Sequence, residues 1–514
     1  MLDKGKMTDL LSDNLYQIAM KPRYKFNLYN RPWGKTIEDK YRQLKIGFIQ
    51  AVRQFAKDSG IKWHDGDFYC FNGKIYEKVP ADIVSNAFEI VIENLGIAEM
   101  TNSKQAISTF MQTIATYNSM KIRNDIIAFS NGVVDFRNKT GVPQLHPFDP
   151  IFDVIDIHPY RYDPDAKGEL WKNFLREVLP RREDRHILQM FLGLGLVQTT
   201  EAYDRSPDAP RGTVELCLIL LGGGANGKSV LFNVICALFG KRYMSSVDYD
   251  VLTADGEEGM RGRYPIRNAV FNWSTDSDPK KFGKKNTAMF KRIVSGEPIQ
   301  YRAIGQNIME TSSSPYLIFS MNELPTPADQ SRGFLRRLQF VSFDVTIPRA
   351  RQDPDLAYKI IKKDLPGVFN WVMRGSKEIR RRHFQFPDSD SSMKQKILAF
   401  LPDNPLAAWE LSYKVRAESI APGELYETIP SAKCYSSYKQ FCKDNNIDEE
   451  LIMSPVAFGH AMTRMGFERK RRADGICYVI YGATSRDLGS HILVDMIEDD
   501  GSQYDTDDSY IIND

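Results

Sequence analysis

Between residues 214 and 343, short apolar runs alternate with stretches of helical periodicity. The runs cover 214–221, 269–273, 316–321 and 338–343. Apolar runs without polar alternation fit strands buried on both faces, and strands that alternate with helices form parallel sheets. This segment is expected to be an α/β core. Upstream, Trp171, Phe174, Leu175 and Val178 recur at three- and four-residue spacing, so residues 169–200 read as helical. Residues 354–383 read the same way, with Trp371 on the apolar side. Two stretches read as β: residues 68–76, where Asn72-Gly73 signals a hairpin, and residues 126–165, with Asn131-Gly132. Pro, Ser and Asp concentrate at 385–405, which reads as a linker. Residues 430–482 read as a compact helical unit closed by a β-hairpin.

Composition changes the picture in one respect. The 514 residues are 42% hydrophobic and 26% charged, the balance of a globular chain of three or four domains at about 150 residues each. Net charge is only +2, yet it is unevenly spread. No Lys or Arg follows Arg486, while Asp495, Glu498, Asp499, Asp500, Asp505, Asp507, Asp508 and Asp514 do. A positive body therefore carries an acidic tail. The cysteines, Cys70, Cys217, Cys236, Cys434, Cys442 and Cys477, show no CxxC spacing. Neither a zinc site nor a disulfide framework is expected, and a reducing cytoplasm fits. There is no signal-peptide pattern, and no apolar run reaches the roughly 18 residues of a membrane span.

Residues 222–229 read Gly-Gly-Gly-Ala-Asn-Gly-Lys-Ser and fit G-x-x-x-x-G-K-[ST]. The apolar run 214–221 leads straight in, and a helical pattern leaves from Val230. Glycines let backbone N–H groups approach phosphates, and a helix N-terminus favours an anion. The candidate nucleotide contacts are Gly222, Gly224, Asn226, Gly227, Lys228, Ser229 and Val230. Lys228 would reach the β- and γ-phosphates of ATP, and the Ser229 hydroxyl would ligate Mg²⁺. A chance glycine-rich turn would lack the strand before it and the helix after it.

Hydrolysis also needs a carboxylate for the metal and a sensor for the terminal phosphate. The run 269–273 ends in Ser-Thr-Asp-Ser-Asp, which offers Asp276, with Asp278 as the second choice. Ligands of open α/β sheets bind at the C-terminal ends of strands. The run 316–321 ends at Asn322, a candidate to orient water; taken alone, it reads as a turn residue. Arg336 and Arg337 open the next run. An arginine from a neighbouring subunit would neutralise transition-state charge, whereas an isolated basic doublet is usually a solvated surface pair.

The combination resembles the superfamily 3 helicase core. Between the acid and Asn322, residues 290–302 are similar to that family's B′ motif. The flanks resemble the poxvirus and phage or plasmid primase–helicases: residues 127–136, His146-Pro147 and residues 162–166 before the core, and residues 365–371 after it. Residues 435–481 resemble a winged helix. The resemblance implies a compact AAA+ fold, ATP and Mg²⁺ as cofactors, and a homo-hexameric ring with ATPase sites between subunits. It implies an α+β domain at 41–200; residues 1–40, polar and mixed, read as an arm. The ATPase core would span 201–350, a helical segment and linker 351–405, a winged-helix domain 406–484 and a disordered acidic tail 485–514. Three departures stand out. The family's Walker B Glu is replaced by Ser274 and Thr275 before Asp276. The hairpin tip, residues 304–307, lacks the usual Lys. The segment before the first match is too short for a primase domain, so no primer synthesis is expected.

The family's hairpin enters the ring channel, so the resemblance assigns DNA contacts to Lys291, Arg292 and Arg302. Arg469, Lys470, Arg471 and Arg472, with Arg464, would contact DNA from the C-terminal unit, unless they form a solubilising face. The expected activity is 3′–5′ unwinding of DNA in phage, viral or mobile-element replication, in the host cytoplasm. Single-stranded and forked DNA would be its partners, with primase, polymerase or single-strand binding protein beside them. No membrane partner is expected. The weak Walker B leaves a second reading open: an AAA+ origin-binding or assembly protein that unwinds poorly. The B′ match argues against a packaging ATPase.

Overall fold

The computed structural model describes residues 54–494 except 65, 95–102, 124, 137–142, 198–213, 306, 311–313, 330, 388, 420–422, 474 and 493. The expected N-terminal arm and most of the acidic tail lie outside the described residues. The chain divides into two units, between Tyr162 and Asp163.

In the first unit, strands β1 (Lys62–His64), β2 (Asp67–Phe71) and β3 (Tyr76–Val79) form an antiparallel sheet. The Asn72-Gly73 hairpin is there, with a wider loop than the dipeptide predicts. The Asn72 side chain accepts from the N–H of Lys74 at 2.8 Å and of Ile75 at 2.9 Å, so it replaces a backbone turn. Helices α1 (Ala81–Asn94) and α2 (Ser103–Tyr117) stack Phe88 on Phe110, with centroids 3.9 Å apart. A second sheet runs β6-β5-β4-β7. Its strands are β4 (Ile126–Phe129), β5 (Gly132–Asp135), β6 (Gln144–His146) and β7 (Ile157–His158).

His158 packs against the rings of Phe129, at 5.6 Å, and Tyr160, at 5.5 Å. Burial pushes its pKa down to about 4. Folding keeps this imidazole neutral, so the unfolded chain binds the proton more readily. Its contribution to stability is full above about pH 6.5 and is lost as pH falls to about 4. Thermal unfolding across that range should show the loss in the wild type and a flatter profile in His158→Gln. Identical profiles would remove His158 as the cause.

The second unit is built on a five-stranded sheet of order β14-β8-β13-β10-β9, parallel throughout. The strands are β8 (Cys217–Leu221), β9 (Met244–Ser245), β10 (Phe271–Ser274), β13 (Tyr316–Met321) and β14 (Leu338–Ser342). Every residue of β10, β13 and β14 is buried, the polar Asn272, Ser274, Ser320, Gln339 and Ser342 with the apolar ones. One face packs Ile219, Leu317, Phe319 and Phe340 against Phe282, Phe290 and Phe334. On the other face, Phe232 and Phe239 of the helix after β8 meet Trp273 and Phe271 at 5.4 and 5.1 Å.

Helices α3 (Glu169–Val178) and α4 (Arg182–Gly193) bury the predicted Trp171, Phe174, Leu175 and Val178. Trp171 meets Trp371 edge-on at 5.5 Å. Close approach to the later helix through Trp371 depends on Gly375. A Cβ there would lie 1.9 Å from the Gln189 carbonyl oxygen of α4.

Two segments differ from expectation. Residues 385–405, which composition reads as linker, contain a helix at Asp390–Phe400. Its serines are used inward: the N–H of Phe340 donates to Ser392 Oγ at 3.0 Å. Its Phe400 joins the sheet cluster, and its Ile397 joins the C-terminal cluster. Residues 485–492 and 494, which charge assigns to the tail, are folded. Leu488 and Val494 are buried, and the Val494 N–H donates to Asn445 at 2.8 Å. Asp487 is the one acidic residue of that stretch and Arg486 stands beside it, so the acidic run begins only at Asp495.

Candidate functional site

All five strands of the parallel sheet run the same way, so their C-terminal ends share one edge. The glycine loop leaves β8 at that edge. The Gly222 N–H donates to Met321 at 3.1 Å, and the Phe343 N–H to Leu221 at 2.7 Å. These bonds align the ends of β8, β13 and β14. The loop tip is tied down as well, since the Ile347 N–H donates to Ala225 at 2.8 Å.

Helix α5 (Lys228–Phe239) follows without a side-chain cap, because its N-cap is Gly227 at φ +87°. No N-cap side chain therefore accepts from its first N–H groups, which favours anion binding there. A Cβ at Gly227 would lie 2.7 Å from Val178, so glycine is required there by packing as well as by φ. A Cβ at Gly223 or Gly224 would meet nothing within 4 Å, which leaves the outer side of the loop open. Asn226 is buried and holds the loop, donating to Gly223 and, at 3.4 Å, to Phe343. Ser229 is exposed and Val230 half-buried. An uncapped helix end beside an open loop face fits a polyphosphate.

The Lys228 ammonium curls back onto the carbonyls of Gly222 and Gly223. Burial pulls its pKa below the usual lysine range, and the charge of Asp276 opposes that pull. Asp276 is exposed at the end of β10, and Asn322 is exposed at the end of β13. β13 lies between β8 and β10, so Asn322 stands between the loop and the acid. Asp278 is engaged differently. It accepts from the Lys280 N–H at 2.9 Å, a turn-forming bond. Ser274, at the strand end, donates to Asp248, and Ser277 donates to Ser274 at 2.6 Å. Asp248 follows β9 at the same edge. Sequence reasoning missed it because β9 has only two residues and leaves no periodic signal.

Arg336 and Arg337 lie at the opposite edge of the sheet, just before β14. Both meet Glu215, at 2.7 and 2.8 Å, another residue the sequence reading did not single out. The Arg337 side chain is 11% exposed and also donates to Ser295 at 2.9 Å; that of Arg336 is 64% exposed. Five residues of β8 separate the two edges by about 16 Å. These arginines are therefore not brought together with the loop of their own chain.

The B′ segment forms helix α6 (Thr287–Val294) and then a hairpin, β11 (Gln300–Tyr301) with β12 (Met309–Glu310). Lys291 pairs with Asp329 at 2.7 Å. Burial works against the Asp329 anion, but bonds from Lys291, Ser331 and Thr287 outweigh it and hold its pKa down at about 2. Arg292 meets Glu297 at 3.4 Å and donates to Pro298 at 3.0 Å, and Arg302 pairs with Glu257 at 2.9 Å. Two large apolar side chains are exposed at and beside the tip, Ile304 at 90% and Ile308 at 52%, with the exposed Asn307 between them. Gln306 of the tip lies outside the described residues.

The C-terminal part packs helices α7 (Pro405–Ser412), α8 (Ser431–Asp444) and α9 (Pro455–Arg464) around Trp409. A three-stranded sheet of order β15-β17-β16 adjoins them. Its strands are β15 (Tyr426–Pro430), β16 (Arg469–Arg472) and β17 (Gly475–Tyr481). The basic run is thus one strand of a hairpin that follows α9. Arg464, Arg469, Arg471 and Arg472 are exposed.

Among the described residues, no helix is long and apolar enough to cross a membrane. By sequence, residues 35–180 match a protein family described as D5 N terminal like. Residues 220–337 match a family of unknown function, DUF5906. No curated protein matches the chain. Among solved structures, the chain is similar to the apo C-terminal region of NrS-1, with 10% identity, a TM-score of 0.38, and 84% of this chain and 98% of that one covered. An A-form apo structure of the same region gives 11%, 0.37, 84% and 99%.

Proposed function

We propose that this chain is an ATP-hydrolysing DNA motor of the superfamily 3, AAA+ type, acting in phage, viral or mobile-element replication. One observation carries the reading. The glycine loop, Lys228, Asp276 and Asn322 converge on one edge of a parallel sheet, while Arg336 is exposed at the other edge. The first group suits a nucleotide held by a single chain. The arginine can serve such a site only in a second copy, which is why we infer a ring. The D5 N terminal like match falls on the segment that resembles viral primase–helicases, and it supports a replication role.

In this reading the N–H groups of the loop and of the first turn of α5 hold the phosphates of ATP. Ser229 and Asp276 hold Mg²⁺, which neutralises phosphate charge when bound. Asp276 is preferred over Asp278, which is occupied in a turn. It is preferred over Asp248, which lies three strands, or about 14 Å, from β8. Lys228 leaves the loop carbonyls for the terminal phosphates, and Asn322 orients the attacking water. Arg336 of an adjacent copy meets the charge that develops; Arg337, buried on Glu215 and Ser295, positions the strand. The hairpin tip would meet DNA through Ile304 and Ile308. The C-terminal part is read as a winged helix, with Arg464, Arg469 and Arg471 toward duplex phosphates.

The test is phosphate release with and without single-stranded DNA, together with strand displacement on a forked substrate. DNA-stimulated hydrolysis with displacement is expected. Ser274 tied to Asp248 in place of a strand-end acid favours the second reading, an assembly or origin-binding protein. ATP-dependent oligomerisation without displacement would establish that reading instead. A monomer that releases no phosphate with ATP and DNA would sink both.

A further inference from the structure

The basic run 469–472 is a strand, so its side chains alternate between two faces. The register settles which. Arg469 pairs with Tyr478 and Arg471 with Ile476. Tyr478 belongs to the core, and its hydroxyl donates to Gly459 of α9 at 3.4 Å. These two arginines therefore share the α9 face. Lys470 pairs with Cys477 and Arg472 with Gly475, on the opposite face. There the Lys470 ammonium lies 5.0 Å over the Tyr426 ring, and Tyr426 lies 5.6 Å from Tyr481. Tyr426 is 51% exposed. Glu468 lies 3.7 Å from Lys470, but it is 63% exposed and too solvated to neutralise it.

We propose that this second face binds single-stranded nucleic acid, separately from the duplex contact on the α9 face. An exposed Tyr426 backed by the half-buried Tyr481, with Lys470 over the ring and Arg472 farther along the same face, suits an unstacked base with its phosphates alongside. A duplex keeps its bases stacked and offers them to no such platform. The inference rests on the reading that the chain works on nucleic acid.

The experiment uses the full chain without nucleotide. A fluorescent oligothymidylate and a blunt duplex are titrated against wild type, Tyr426→Ala, Lys470→Ala/Arg472→Ala and Arg469→Ala/Arg471→Ala. Tyr426→Ala should weaken oligothymidylate binding by about tenfold and leave the duplex within about twofold. The Lys470/Arg472 double variant should also lower the salt slope for the single strand by about 1.4, two contacts at about 0.7 each. The Arg469/Arg471 variant should do the reverse, weakening the duplex alone. An oligonucleotide carrying 4-thiothymidine should cross-link to Tyr426 or Tyr481, which separates this face from single-strand binding elsewhere in the chain.

If wild type binds neither probe, the nucleic-acid reading fails and this inference fails with it. If wild type binds both, two results overturn the inference alone. One is unchanged single-strand binding in Tyr426→Ala without a cross-link at either tyrosine. The other is equal loss of both probes in the two double variants.

Discussion

Lys228→Ala is expected to lower phosphate release by roughly 10²–10³-fold, the cost of removing one preorganised donor from a developing negative charge. The size follows from the setting. The ammonium is partly desolvated at the loop, and burial already depresses its pKa. A charge held in that environment acts more strongly than one in bulk water. The fold should survive, because the partners Lys228 gives up are two carbonyls of the loop, Gly222 and Gly223. Steady-state hydrolysis read beside thermal unfolding separates the two effects. A variant that hydrolyses like the wild type would show that residues 222–229 are not the motor site.

Arg336→Ala should be at least as damaging, by about 10³-fold or more if the arginine acts on a neighbour's nucleotide. It should cost little stability, since an exposed ion pair contributes under about 1 kcal/mol and Glu215 keeps Arg337. The sheet-edge geometry gives this prediction a sharper form. Each active site would take Lys228 from one copy and Arg336 from the next. Mixing Lys228→Ala with Arg336→Ala at equal amounts should therefore restore about a quarter of the sites, although each variant alone is inactive. No recovery on mixing, with both variants still assembling, would place the arginine outside the site.

The strands of the core were legible because burial on both faces writes a mostly apolar run with no period-two alternation. Tyr316–Met321 is the same in the sequence reading and in the structure. Two-residue strands such as β9 leave no such trace, so Asp248 was invisible until the sheet was assembled. The helix at Asp390–Phe400 was misread for a related reason. Its polar residues face partners in the protein rather than water, as Ser392 does toward Phe340. Composition records polarity and not the partner.

Local order along the chain was enough to determine the loop that opens α5, the strands that precede its candidate partners, and the parallel α/β class. Each depends on neighbours in sequence: glycines that permit a φ, a helix start, a run of apolar side chains. Strand order and register decided the rest. They set Asn322 between the loop and Asp276, and moved Arg336 to the far edge. They buried Arg337 and divided the run 469–472 between two faces. Such facts arise from pairing between residues far apart in the chain, and no local pattern carries them.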